Sequence, residues 1–276
     1  MAAGDPEVDP QQGPHMTRLD DLARIQEAIM AAADAIQPFT PGDIEFEMKT
    51  ERGDPLTAAD TAADRVLRDV LPTKGEGWLS EESIDDPVRL GCRRVWVVDP
   101  IDGTREFIDG IPEWCISVGL VEDGLPVAGG IYNPVTEELV IGSLETGVEY
   151  QGRSSSVTGL PDLDGAVILA SRSEIGRGEW DVLDEAPCQV RPCGSVAYKM
   201  ALVAAGQADG TWTMVPKSEW DVAAGTALVR AAGGSVIHAD GTEPTFNQPV
   251  PRYPNFLAAS DGILSDFRGN WMKVYS

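Results

Sequence analysis

Apolar residues at positions 19, 22, 23, 25, 29, 30, 33 and 36 recur at the spacing of one helix face, which predicts an amphipathic helix over 19–36, stopped near Pro38. A second helix is predicted over 58–71, between Thr57 and Pro72. From residue 95 the period changes. The short apolar runs VWVV (95–98), ISVGLV (116–121), PVAGGIY (126–132) and ELVIGS (138–143) are separated by the turn signals EDG and NPVTEE, and predict an antiparallel meander. Beyond residue 166, strand VILAS (167–171), a helix at 196–206, a strand near GTWTM, a helix at 222–232 and strands SVIH (235–238) and FLAAS (256–260) alternate the two element types, as a βα layer arrangement does. The expected class is α+β / α/β, with an N-terminal antiparallel sheet half (17–164) and a C-terminal mixed α/β half (165–276). Residues 1–16 carry Pro, Gly and polar residues without an apolar period and are expected to be a disordered leader.

Charge narrows the function more than length does. The 276 residues carry 45 acidic against 21 basic side chains, a formal charge of −24, which repels a nucleic-acid backbone and excludes general nucleic-acid binding. Small phosphorylated substrates stay compatible, because bound cations invert the local field. The acid excess exceeds what one metal site needs, and a solubility or salt adaptation is the expectation. Only His15 and His238 are histidines, so a Ser-His-Asp triad, a Cys-His pair or a multi-histidine zinc site lacks its parts. Cys92, Cys115, Cys188 and Cys193 form no C-x-x-C and are expected to be free thiols of a reducing compartment. With no apolar stretch of membrane-spanning length and no basic-then-apolar N-terminus, a soluble, cytoplasmic protein is expected.

The densest chemical signal is Val97-Val98-Asp99-Pro100-Ile101-Asp102-Gly103-Thr104. An apolar strand delivers Asp99 at its end, and Asp102 returns a second carboxylate beyond the Ile101 carbonyl. Gly103 permits close approach of a ligand, and Thr104 adds a hydroxyl. Such an all-oxygen set suits a hard cation such as magnesium, although an acidic turn is the plainer alternative. Ser80-Glu81-Glu82-Ser83 follows the apolar pair Trp78-Leu79; adjacent residues of an extended strand face opposite ways, so only one glutamate would reach a shared site. Asp221 sits where a helix N-cap belongs, which fits capping and a rigidly held metal ligand equally. Asp54-Pro55-Leu56-Thr57-Ala58-Ala59-Asp60 adds a further acidic segment with Lys49 upstream; Thr57 would cap the helix and leave Asp60 in its first turn. Gly194-Ser195 precedes a helix as an anion-binding terminus or a plain cap would, and Lys199 one turn later reads as a surface lysine or a phosphate ligand.

In order along the chain, D-P-L-T-A-A-D, E-E, D-P-I-D-G-T and W-D-V-A-A-G resemble the motifs of the inositol monophosphatase superfamily of metal-dependent, lithium-sensitive phosphatases, over about residues 19–270. The resemblance implies a layered αβαβα sandwich, a homodimer, and hydrolysis of a small phosphorylated metabolite with two or three Mg2+ ions. By position it makes Glu81, Asp99, the Ile101 carbonyl, Asp102 and Asp221 metal ligands, with Asp60 helping to hold a weaker ion through water. Thr104, paired with Glu81, corresponds to the groups that activate the attacking water. Asp102, Gly103 and Thr104 correspond to the phosphate-contacting turn, and Asp221, Lys49, Ser195 and Lys199 complete the expected substrate contacts.

Arg105-Glu106-Phe107 after this motif, and Ser171-Arg172-Ser173, look like the branch that removes the 3′-phosphate of adenosine 3′,5′-bisphosphate. Glu174 departs from that branch, in which histidine is common at this position. Cations at Arg105, Arg172, Lys199 or Lys217 suit a doubly phosphorylated substrate. Inositol monophosphate or histidinol phosphate on the same machinery is the alternative, and a catalytically silent phosphate-binding regulator is a third reading, disfavoured because every metal-ligand position is filled.

Overall fold

The computed structural model describes residues 17–49 and 55–272, so the expected leader and Asp54 lie outside the described residues. Helices α1 (Arg18–Ile36) and α2 (Ala58–Val70) stand at the predicted positions, each opened by a threonine capping box, Thr17 with Asp20 and Thr57 with Asp60. Between them a two-stranded ribbon pairs β1 (Phe46–Met48) with β2 (Pro55–Thr57). The main sheet runs β3 (Gly77–Ser80), β4 (Arg94–Asp102), β5 (Cys115–Glu122), β6 (Leu125–Asn133), β7 (Glu138–Ser143), β8 (Gly147–Tyr150) and β9 (Arg153–Ser155) in spatial order. From β4 to β9 it is the expected antiparallel meander, but β3 lies parallel to β4. The sheet is therefore mixed rather than antiparallel throughout: the connection through the 3-10 turn Pro87–Gly91 is long enough to return the chain to the starting end of the sheet.

Strand alternation sorts β4 between two cores. Val95 and Val97 join one buried cluster, while Trp96 and Val98 join the cluster formed with α1 and α2. On the first face lie α5 (Val196–Ala204) and α6 (Glu219–Ala231), which are buried along most of their length. Beyond them stands a second sheet in the order β11 (Gln189–Cys193), β10 (Val167–Ser171), β12 (Gly210–Thr213), β16 (Phe256–Ala259), β14 (Ser235–Ile237). Its first three strands are parallel and the other two pair antiparallel, a mixed sheet as expected. Ile168, Ala170, Trp212, Leu257 and Ala259 turn to its outer face and bury Ile263, Leu264 and Phe267 around α7 (Asp261–Asp266), with the short α4 (Arg172–Gly176) at the end of β10. The layers are αβαβα. A small ribbon of β13 (Lys217–Ser218) and β15 (Arg252–Tyr253) sits at the start of α6.

The middle helix layer leaves no room for side chains at two points of the main sheet. A Cβ on Gly129 would stand 2.7 Å from the Ala224 carbonyl oxygen, and one on Gly119 2.8 Å from the Ala224 nitrogen. Bare backbone on β5 and β6 therefore sets the seat of α6.

A charged network ties α1 to the sheet edge. Arg94 contacts Asp21, Glu76 and Glu122, and Arg24 and the Trp96 indole N–H also bond Glu76. Burial would raise the Glu76 carboxyl, but these donors outweigh it and hold it down to about 2. Its contribution is complete above the ordinary value of 4.5 and is lost as pH falls towards 2. Glu76→Gln is expected to cost about 1–3 kcal/mol at pH 7, read from urea midpoints, with the gap to wild type closing below pH 3.

Candidate active site

The end of β4 opens into a cavity of about 340 Å³. Asp99 follows Val95 and Val97 on the face turned to α6 and is 1% exposed; its Oδ1 accepts the Ile101 N–H at 3.1 Å. Asp99 lies opposite Ser117 and Asp102 opposite Cys115, so three steps on β4 match two on β5. Pro100 lies in that one-residue bulge, where its missing donor is tolerated, and strand pairing continues to Asp102, beyond the apolar run 95–98 and its end at Asp99. Glu81 lies just past β3, its N–H donating to the Val98 carbonyl at 3.4 Å. Asp221 is not the N-cap of its helix, as expected, but its third residue. Ser218 is the cap, and its N–H donates to Asp221 Oδ2 at 2.7 Å, so helix α6 begins three residues earlier than the apolar pattern indicated. Glu81, Asp99 and Asp221 each offer an oxygen, all within 4.8 Å of one another.

Burial, then Glu81, Asp102 and Asp221, push the Asp99 carboxyl well above its ordinary range. Burial, then Asp102 and Glu81, push Asp221 up to about 8. Three carboxylates from separate elements thus share a space too small for their charge. Their donors are hard oxygens, with no histidine or thiolate among them, and that chemistry fits a divalent magnesium-like ion.

Asp102 lines the cavity outside this trio. Its Oδ2 accepts the Ser195 hydroxyl at 2.7 Å and the Ala197 N–H at 2.5 Å, which leaves Oδ1 available. Those bonds change the reading of Ser195: the start of α5 is filled by the protein's own carboxylate, and Ser195 Oγ also accepts the Tyr198 N–H. Lys199 lines the cavity but is 3% exposed, not a surface lysine; its ammonium donates to the Ser195 carbonyl at 2.6 Å and the Cys193 carbonyl at 3.4 Å. Thr104 and Glu81 both line the cavity, and no direct hydrogen bond joins them among the described residues. The Thr104 hydroxyl reaches the Ile101 carbonyl at 3.1 Å and Asp60 Oδ1 at 3.3 Å, because the capping box turns Asp60 inward, with Oδ2 taking the Thr57 N–H and hydroxyl at 2.8 and 2.6 Å. Burial raises the Asp60 carboxyl against these bonds. Gly103 holds φ at +100°, and a Cβ there would press on Glu113 and Trp114.

As expected, only one of the adjacent glutamates, Glu81, reaches the acidic trio and the cavity, although the two side chains do not turn to opposite faces. β3 ends at Ser80, and in the bend that follows both carboxylates reach Lys49, at 2.8 and 2.7 Å. Lys49 is thereby committed to carboxylates rather than to the cavity wall. Burial would lower its ammonium, but the two glutamates raise it. Burial and the Glu81 charge push Glu82 up to about 7. Arg105 and Lys217 line the cavity, whereas Arg172 is gripped by Glu113 through two bonds of 2.6 Å. Glu174 is 3% exposed and accepts from Thr213 at 2.5 Å and Trp180 at 3.1 Å, a buried bracket between α4 and β12. Sequence reasoning missed Arg252 and Ser218, which also line the cavity; PVPRYPN has no period that could have placed the arginine. All four cysteines are free.

The family model described as "Inositol monophosphatase family" matches residues 18–271. The chain belongs to the inositol monophosphatase family. Among curated relatives of this phosphatase family, it is 36% identical to an inositol-1-monophosphatase of Rhizobium meliloti over 200 residues, 68% of this chain and 73% of the relative. It is 33% identical to the 3′(2′),5′-bisphosphate nucleotidase CysQ of Salmonella typhimurium over 222 residues, 78% of this chain and 89% of the relative. The crystal structure of CysQ from Bacteroides thetaiotaomicron, a bacterial member of the family, superposes with a TM-score of 0.72 at 31% identity, covering 87% of this chain and 97% of that one. The bisphosphate nucleotidase branch is thus one of several that resemble this chain. Among the described residues no helix is long and apolar enough to cross a membrane.

Proposed function

We propose that this family member is a magnesium-dependent phosphatase that removes the 3′-phosphate of adenosine 3′,5′-bisphosphate through attack by water. The observation that carries the reading is the convergence of Glu81, Asp99 and Asp221 within 4.8 Å, with Lys199, Lys217 and Arg105 on the walls of the same cavity. Glu81, Asp99, the Ile101 carbonyl, Asp102 Oδ1 and Asp221 would hold two ions, and Asp60 a weaker third. Such ions neutralise the phosphoryl charge, lower the pKa of bound water and stabilise the leaving oxygen.

The chain's own groups orient the water and manage its proton. Thr104 donates its single hydroxyl proton towards Asp60 Oδ1, which leaves its lone pairs to accept from the attacking water. Asp60, made more basic by burial, draws that proton, and Glu81 stands beside the same space. Gly103 and Thr104 bring backbone close to the phosphoryl oxygens. Lys199, anchored on two carbonyls, holds its amino group at a fixed place near them, and burial lowers its hold on the proton.

Inositol 1-phosphate is the second reading, favoured by the 36% identity to a protein named inositol-1-monophosphatase. Phosphate release from adenosine 3′,5′-bisphosphate, inositol 1-phosphate and histidinol phosphate, with magnesium and again with added lithium, separates the two. The bisphosphate is expected to give a kcat/KM at least about tenfold above the others, as one added charge-assisted contact provides. A preference for inositol phosphate would overturn the substrate assignment and leave the metal chemistry standing.

A further inference from the structure

The segment 246–253 is fastened more firmly than a surface loop requires. Glu219, the fully buried first residue of α6, accepts the Asn247 and Gln248 N–H groups at 2.8 and 2.9 Å, and its own N–H donates to the Pro251 carbonyl at 3.0 Å. Arg89, 2% exposed, grips the same segment from the other side. It donates to Asn247 Oδ1 at 2.7 Å and to the Gln248 carbonyl at 3.0 Å, while Asn247 Nδ2 donates back to the Arg89 carbonyl. Tyr253 is buried, its hydroxyl on the Thr245 carbonyl at 2.6 Å, and β15 pairs with β13 through Ser218–Arg252 and Lys217–Tyr253. All this fixes the backbone of an exposed residue, Arg252, on the wall of the active-site cavity.

The other basic groups near the site have partners. Lys49 bonds Glu81 and Glu82, Arg172 bonds Glu113, Lys199 bonds two carbonyls, and Lys217 lies 3.8 Å from Glu174. Among the described residues the Arg252 side chain has neither an ion pair nor a hydrogen-bond partner, and its backbone position is set by the clamp. A guanidinium presents a rigid fork of donors that matches phosphate oxygens. The reacting phosphate belongs with the carboxylates and their cations, so an unpaired arginine on the ribbon is free for a different anion.

We propose that Arg252 is a specificity-determining residue that takes the non-reacting phosphate of a doubly phosphorylated substrate. The inference rests on the bisphosphate reading above and adds the residue that selects for it. The test compares adenosine 3′,5′-bisphosphate with adenosine 3′-monophosphate on wild type, R252A and R252K. R252A should raise KM for the bisphosphate about 10–100-fold, the worth of a hydrogen bond to a charged group, with kcat within about threefold. KM for the monophosphate should move less than about threefold, and R252K should recover part of the loss. Equal changes on both substrates, or none on either, would overturn the assignment. If wild type itself does not prefer the bisphosphate, the substrate reading falls and this inference with it. If wild type prefers it and R252A keeps the preference, only the role of Arg252 falls.

Discussion

Asp221→Asn is expected to lower turnover by at least about 100-fold and, in the same protein, to raise the melting temperature measured without divalent cations at pH 8. The first effect follows from losing one of the three carboxylates that meet within 4.8 Å: an amide cannot supply the charge that a hard cation requires, and such an ion is worth several kcal/mol in the transition state. The second effect follows from the same charge. Asp221 is pushed up to about 8 in the fold against an ordinary value of 3.8. Its protonated form therefore stabilises the fold fully below pH 3.8, and that stability is lost as pH rises towards 8. At pH 8 wild type bears the loss and the neutral amide does not. The amide oxygen can still accept the Ser218 N–H that closes the capping box. A gain of about 1 kcal/mol raises the melting temperature of a chain this size by about 2–4 °C. Added magnesium should stabilise wild type more at pH 8 than at pH 5, and should stabilise the variant little at either. Unchanged turnover would remove Asp221 from the site; a lower melting temperature would mean its charge is already neutralised within the protein.

Local pattern carried the element map and the identity of the chemistry, but not how the groups meet. ELVIGS and VILAS became strands with the expected limits because alternation and turn residues there leave no competing structure. The start of α6 was hidden because its capping box is made by the polar pair Ser218 and Asp221, and a single apolar residue between them, Trp220, sets no period before Val222. That a single glutamate of the pair reaches the site was legible, but their shared grip on Lys49 was not, because β3 ends at Ser80 before either of them. Resemblance paired Thr104 with Glu81 around the attacking water; the further bond of its hydroxyl to Asp60 was not legible, because the cap can be read locally but its inward aim cannot. Arg252 was invisible for the plainest reason. Its place depends on Glu219 and Arg89 holding a loop from two distant parts of the chain.

The seat of α6 is also where packing meets chemistry, and Gly129→Val is expected to cost activity out of proportion to stability. A Cβ at this position would lie 2.7 Å from the Ala224 carbonyl oxygen and 3.0 Å from its Cα, both backbone atoms of a helix buried on either side. Neither can move without moving the helix. Overpacking of this kind costs about 1–3 kcal/mol, which a core of this size tolerates. Asp221 lies in the first turn of that helix, however, and Glu81 and Asp99 are carried by β3 and β4 of the opposing sheet. Widening the gap draws one carboxylate away from the other two. A displacement of about 1 Å in a positioned group can cost about 100-fold in rate. The expected result is a folded protein whose urea midpoint falls modestly, whose kcat/KM falls about 100-fold, and whose half-saturating magnesium concentration rises. Gly91→Ala, where a Cβ meets nothing within 4 Å, serves as the neutral comparison. A Gly129→Val protein with full activity would show that helix and sheet can separate without disturbing the acidic trio. Loss of activity strictly in step with loss of folded protein would assign Gly129 to stability alone.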